Sequence, residues 1–182
     1  MEFYQYEEKS LLRRIISWTV DIILVIAFAW FTVYTFGTEI NIAGHSMSPY
    51  MENGDVVLMN RLSYTLTGPK RFDVVVFQRE DKRTNVKRVI GLPGETVQIY
   101  GGYIFIGGER LEAENSLDEV SLAGLAETPI TLGENEYFLL GDNRDSSEDS
   151  RFINVGNVKK EQILGRVWIR ILPIRRFSFI GS

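Results

Sequence analysis

The sequence contains no cysteine. Disulfides, thiolate nucleophiles and cysteine-bound metals are therefore excluded. Histidine is nearly absent too, since His45 stands alone. That removes the HExxH zinc pattern and every other site needing two histidines from one chain. Positive charge is not in excess: 20 basic residues face 24 acidic ones, for a net charge of −4. The basic stripe expected of a nucleic-acid-binding protein is missing. Neither an internal repeat nor a low-complexity tract is present. With 182 residues, 45% of them apolar, the chain has room for one domain and a small attachment.

The most conspicuous feature present is an apolar run from Ile15 to Phe36. As a helix it would be about 33 Å long, enough to cross the hydrocarbon core of a bilayer. Its one formal charge is Asp21, close to the start, and Trp18, Trp30 and Tyr34 lie toward its ends, as interfacial anchors do. The apolar core exceeds that of a cleaved signal peptide, and no tidy A-x-A site follows it. Lys9, Arg13 and Arg14 precede the run, and the next basic residue is Arg61. The positive-inside rule then places residues 1–14 in the cytoplasm, a single-pass anchor at 15–36 in the cell membrane, and residues 37–182 outside.

Beyond residue 37 the pattern changes to period two. Short β-rich runs recur at 38–44, 55–60, 73–78, 86–92, 96–100, 103–108, 137–142 and 163–171, separated by turn signals such as Pro93-Gly94 and Gly101-Gly102. The Gly-Gly pair reads as a tight hairpin. The expected fold is mainly β: an N-terminal transmembrane helix followed by an antiparallel sandwich or barrel-like catalytic domain. The acidic stretch 109–136, in which Arg110 is the only basic residue, reads as a small solvated insertion.

A hydrolase needs a nucleophile, a base and an oxyanion stabiliser. His45 adjoins Ser46, and neighbours in an extended segment point to opposite faces, so His45 is badly placed to deprotonate it. Neither G-x-S-x-G nor S-x-x-K occurs. A lysine base remains. Lys87 lies in a run, VKRVIGL, that otherwise reads as a buried strand. Burial lowers a lysine pKa and can leave the amine neutral. A strand lysine that merely snorkels to solvent is the plain alternative.

Three segments taken together resemble the type I signal peptidases: Gly44-His-Ser46-Met47-Ser48-Pro49 followed by Gly54-Asp55; Lys87-Arg88-Val-Ile-Gly91-Leu-Pro93-Gly94-Glu95; and Gly141-Asp142-Asn143-Arg144-Asp145-Ser146-Ser147-Glu148-Asp149-Ser150-Arg151. Their order and spacing match, as does an N-terminal span, so the resemblance covers nearly the whole chain outside the acidic stretch. It implies a serine endopeptidase with Ser46 as nucleophile, Lys87 as general base and Ser147 orienting the lysine amine. Asp149 and Arg151 would support that loop, and Asp142 and Arg144 would shape its turn. The Ser46 N–H is the obvious oxyanion donor. Some members carry a second, serine donor two positions earlier, where this chain has Gly44. Tyr50 and Ile153-Asn154 also depart from the common pattern without removing a catalytic group.

The implied substrates are signal-peptide-bearing preproteins cleaved after small residues of an A-x-A pattern, with the lipid bilayer as second partner and neither metal, cofactor nor nucleic acid required. If the strand from Ile40 runs regularly to Ser46, Ile40 and Ile42 share the nucleophile's face and line shallow substrate pockets; ordinary core is the competing role for both. Met47, Tyr50 and Met51 are further candidates for dipping into the membrane interface. Two other functions stay open at this point: a self-cleaving Ser-Lys protease, and a non-catalytic, membrane-tethered module that binds exported chains. A calcium loop in the third segment is disfavoured because Arg144 occupies a ligand position.

Overall fold

A computed structural model describes residues 11–64, 67–112 and 120–181. Lys9 and the rest of residues 1–10, and residues 113–119 of the acidic stretch, lie outside the described residues. The first element, α1 (Leu11–Phe36), is one uninterrupted helix. Its apolar side chains from Leu11 to Tyr34 are exposed, and it is long and apolar enough to cross a membrane. Two of its threonines suit that setting: the hydroxyls of Thr19 and Thr32 donate to the carbonyls of Ile15 and Phe28 at 2.8 Å, so both protons are paired within the helix.

The helix ends where Gly37 N–H donates to Val33 O at 2.8 Å. It is tied to the sheet at once. Arg61 donates its N–H to Thr35 O at 3.3 Å and its Nε to Thr38 Oγ1 at 3.1 Å. Its guanidinium also lies 5.4 Å from the centre of the Tyr34 ring. The first cation after the span thus sits at the helix C-terminus, where the helix dipole favours positive charge.

The remainder is β, as the period-two pattern predicts. The larger sheet has eight strands. Seven run in the order β1 (Thr38–Asn41), β2 (Val56–Asn60), β11 (Ile163–Leu172), β3 (Val74–Gln78), β4 (Thr84–Gly91), β9 (Glu136–Leu140) and β10 (Val158–Lys159). The eighth, β12 (Ser178–Phe179), pairs with β11. A four-stranded sheet holds β7 (Glu109–Arg110), β6 (Tyr103–Ile106), β5 (Thr96–Tyr100) and β8 (Ile130–Thr131). Every pairing is antiparallel. Gly101 and Gly102, at φ +57° and +85°, form the expected two-residue hairpin turn between β5 and β6, whose twist matches that of the strands. Register shifts along β11 let one long strand pair with β2, β3 and β12 in turn.

The acidic stretch contributes to this architecture. Its described residues form β7, a 3-10 turn at Gly124–Glu127, and β8. β7 and β8 join the small sheet, while Val120, Ala126 and Leu132 enter a core shared by the two sheets. In that core Ile90, Phe138 and Leu140 of the large sheet meet Val97, Ile99 and Ile104 of the small one. β4 is covered on both faces, with its last five residues, Lys87 to Gly91, all buried.

Truncating Phe138, which is fully buried in the shared core, to alanine removes a ring the two sheets cannot close over. Phe138→Ala is expected to lower stability by about 3–5 kcal/mol, measured by denaturant unfolding of the detergent-solubilised chain.

Candidate active site

Ser46 lies in the connection between β1 and β2. Two backbone bonds close its base: Ile42 N–H to Asp55 O and Gly54 N–H to Ile42 O, both 2.8 Å. Within it the chain coils, with Ser48 N–H donating to His45 O at 3.1 Å and Met51 N–H to Met47 O at 2.8 Å. Met47 and Met51 are fully buried against Val57, Met59, Val74 and Val167. These methionines are core anchors for the nucleophile's loop, which corrects the expectation that they meet lipid. Below the loop, Asp55 accepts from Arg170 at 3.0 Å and Arg176 at 3.3 Å, and Arg170 also donates to Tyr50 O at 2.8 Å.

The regular strand from Ile40 to Ser46 is not formed. β1 stops at Asn41, and the chain turns through Gly44 at φ +87°. Ile42 is buried in the methionine cluster and Ile40, half-buried, packs on the same cluster. Strand parity therefore does not aim these isoleucines at substrate, and Ile42 in particular is core. His45 and Ser46 are separated by a turn rather than by a pleat. The His45 ring is exposed, with Nδ1 4.0 Å from Glu52 Oε2.

Lys87 reaches Ser46 from β4, where it sits opposite Val75 of β3. Its Nζ lies 2.8 Å from Ser46 Oγ. Lys87 is only 3% exposed. Burial pushes its pKa down to about 8, against the opposing pull of Asp149 and Glu148. A serine hydroxyl and a partly neutral amine in hydrogen-bond contact are the groups that a nucleophile–base pair requires. Among the described residues Ser46 N–H meets no protein acceptor, whereas Gly44 N–H is engaged by Asn53 Oδ1 at 3.0 Å.

The third side of the site is the loop after β9. Gly141 is packed so closely that a Cβ there would fall 2.1 Å from Ser147 Oγ and 2.4 Å from Ser46 O, so no larger residue fits. Asn143 N–H donates to Ser46 O at 3.1 Å, fastening this loop to the nucleophile's own carbonyl. Asp149 and Arg151 have fully buried side chains paired through two bonds, 2.8 Å and 3.0 Å. Asp149 also accepts from Gly141 N–H at 3.1 Å. Arg151 donates to Arg144 O at 2.6 Å and to Leu122 O at 3.0 Å, joining the catalytic loop to the acidic stretch. Asp142 takes two 2.7 Å bonds from Arg88, which stacks over the Tyr50 ring. Arg144 Nε donates to Gly141 O at 2.9 Å, the turn-shaping contact expected of it.

Ser147 is buried beside Gly141, but its Oγ makes no hydrogen bond. The expected contact with Lys87 is thus not formed here. Sequence reasoning passed over the roles of Gly141, Asn143 and the Arg88–Asp142 pair. Only the small residue at Gly141 carried a local signal, because the other contacts join segments far apart in the chain.

The family model of signal peptidases, peptidase S26, matches residues 15–172. The chain belongs to this family. Signal peptidases of this kind are serine endopeptidases, and the enzyme is one of them. It is 33% identical over 173 residues to the signal peptidase I of Bacillus caldolyticus, covering 89% of this chain and 92% of that protein. Identity is 35% over 173 residues with the signal peptidase I of Leptolyngbya laminosa, covering 90% and 81% respectively. With signal peptidase I P of Bacillus subtilis subsp. natto it is 34% over 180 residues, covering 93% and 96%. A crystal structure of a signal peptidase I from Enterococcus faecalis V583 aligns with TM-score 0.45 and 31% identity, covering 54% of this chain and 95% of that one.

Losing the charge of Asp149 would leave Arg151 buried without its partner. In this signal peptidase, Asp149→Asn is expected to cost about 3–5 kcal/mol of stability, read by urea denaturation, with faster proteolysis of the stretch held by Leu122 O.

Proposed function

We propose that the enzyme removes N-terminal signal peptides from exported preproteins, cleaving after small residues of an A-x-A pattern, with Ser46 as nucleophile and Lys87 as general base. The 2.8 Å contact between Ser46 Oγ and the buried Lys87 Nζ carries this reading. In the neutral form, Lys87 takes the Ser46 proton as Oγ bonds to the scissile carbonyl carbon. The carbonyl oxygen becomes an oxyanion facing the unengaged Ser46 N–H. As the tetrahedral intermediate collapses, the C–N bond breaks and Lys87 returns its proton to the leaving amine. The released amine is the new N-terminus of the mature protein. Water, deprotonated by the same lysine, then attacks the acyl-serine; the C–Oγ bond breaks, Lys87 returns the proton to Ser46 Oγ, and the signal peptide leaves with a new carboxylate.

Ser147 is assigned the orienting role. A buried hydroxyl is costly to leave unpaired, and its oxygen suits a hydrogen bond from an N–H of Lys87, which leaves the amine's single lone pair for the Ser46 proton. A hydroxyl in that position steers the amine without adding charge, where a carboxylate would raise its pKa. Asp149 and Arg151 hold the loop that presents it. For the substrate, half-buried Ile40 remains the candidate pocket residue next to the nucleophile's loop, with Ile42 behind it in the core.

The lipid bilayer is the second partner. The exposed cluster of Ile174, Phe177 and Phe179 adjoins Arg175 and Arg176 in the chain. Arg176 Nη2 donates to Pro49 O at 3.4 Å, placing that cluster beside the loop of Ser46. Apolar rings flanked by cations suit a surface of anionic lipid headgroups. With α1 in the same bilayer as the preprotein's apolar segment, enzyme and substrate are confined together. Arg13 and Arg14, in the first turn of α1, support an orientation with the N-terminus in the cytoplasm of a single-pass cell-membrane protein and residues 37–182 outside.

Ser46→Ala is expected to abolish cleavage of an A-x-A preprotein in detergent, and Lys87→Ala to reduce it roughly 10²–10⁴-fold. Cleavage surviving in Ser46→Ala would remove the nucleophile assignment. Because the base must be neutral, kcat/KM is expected to rise with pH to a plateau above about 8, and to fall about tenfold per unit below it. Topology is testable because the chain has no cysteine. Ile153→Cys, at a position 89% exposed, should react with a membrane-impermeant maleimide added outside intact spheroplasts; labelling only after lysis would reverse the orientation.

A further inference from the structure

The carboxylates that face Lys87 are Asp149, Glu148 and Asp142, all on the loop after β9. Each raises the lysine pKa and so opposes a neutral base. Each also has its own arginine: Asp149 has Arg151, Asp142 has Arg88, and Glu148 has Arg79. The third pair stands apart, because Arg79 lies in none of the segments that carry the family resemblance. Arg79 directly follows β3 and opens the turn to β4, with its N–H donating to Arg83 O at 2.9 Å. Instead of facing solvent from this turn, its side chain is 5% exposed. The guanidinium crosses to the catalytic loop, where it pairs with Glu148 and donates to Asn154 O at 3.3 Å. Asp81 Oδ2 lies 3.7 Å from its Nη2. The Asn154 side chain donates to Glu148 as well. Glu148 itself sits between Ser147 and Asp149 in the chain, and the hairpin that carries Arg79 also carries Lys87.

We propose that the Arg79–Glu148 pair is a positioning clip for catalysis, fastening the Ser147 loop to the Lys87 hairpin while cancelling the carboxylate that would otherwise recharge the base. The inference rests on the Ser46–Lys87 reading. Without Arg79, Glu148 would keep its negative charge next to Lys87, and its remaining cation would be the exposed Arg83, which interacts with it more weakly through solvent. The sign follows. An uncompensated carboxylate raises the Lys87 pKa, so the amine is protonated, and inactive as a base, over a wider range of pH. Glu148 is 46% exposed, so the effect is screened and is expected to be on the order of 0.5–1 pH unit.

The test is the pH profile of kcat/KM for the full-length chain in detergent micelles, with an internally quenched peptide bearing an A-x-A site as probe. Arg79→Gln is expected to shift the acidic limb upward and to lower kcat/KM at pH 7 about 3–10-fold, with activity recovering at high pH. Glu148→Gln should shift the limb downward. The double variant should return it near the wild-type position, Arg79→Lys should restore most of the loss, and added salt should shrink the Arg79→Gln shift. A uniform loss at all pH values, with the limb unmoved in both single variants, would overturn the clip. The double variant guards against misfolding as the cause, because it keeps the loss of arginine while removing the charge. The dyad reading fails separately: a wild-type limb that persists in Lys87→Met would show that the titrating group is another residue.

Discussion

The burial of Lys87 against Ser46 constrains everything around it. An ammonium group surrounded by water cannot act as a base near neutrality, and desolvation lowers the Lys87 pKa, as the role proposed for it requires. The protein achieves this by placing it in the central strand β4, covered on both faces, with β3 on one side and β9 on the other. The same burial draws in neighbours that threaten it. Three acidic residues of the following loop face the amine, and each is matched by an arginine, so the loop is held by ion pairs whose charges largely cancel. Structural support and electrostatic tuning are here the same contacts.

The nucleophile's loop is fixed by a different force. Met47 and Met51 flank Ser46 and Tyr50 in sequence and are driven into the core beneath them, so the turn is pinned from below by hydrophobic burial. From the side it is fastened by Asn143 N–H on Ser46 O. Gly141 permits that approach because any Cβ would displace both the serine carbonyl and Ser147. The position of Ser46 therefore depends on two segments nearly a hundred residues apart in sequence, which meet only because β4 and β9 are neighbours in the sheet.

The membrane helix and the sheet are joined with almost no linker. Gly37 is the one residue between α1 and β1, and Arg61 binds both the helix end and Thr38. Such a joint restricts how far the catalytic domain can stray from the bilayer surface. It agrees with the exposed aromatic cluster near β12, adjoining the loop of the nucleophile.

Much of this was legible in the chain. The span showed in a long apolar run broken by one charge, Asp21, because polar groups are costly in lipid. The main strands showed in their alternation, the β5–β6 hairpin in a Gly-Gly pair, and the residues that gather around Ser46 in three motifs. Ile42 marks where such reading stops. Strand parity assumed an extended segment and would have aimed Ile42 at the site, but the chain turns at Gly44 and sends Ile42 into the core. The short strands β7, β8, β10 and β12 have only two residues each, too few for any period to show. Local sequence determined the main elements and singled out the candidate residues, since hydropathy, turn chemistry and residue type act over a few neighbours. The tertiary structure alone decided that Lys87 is dry, that it touches Ser46, and which arginine answers each carboxylate. Those are properties of distance and burial, and apart from the Asp149–Arg151 pair, two residues apart, they arise between residues that no short sequence window contains together.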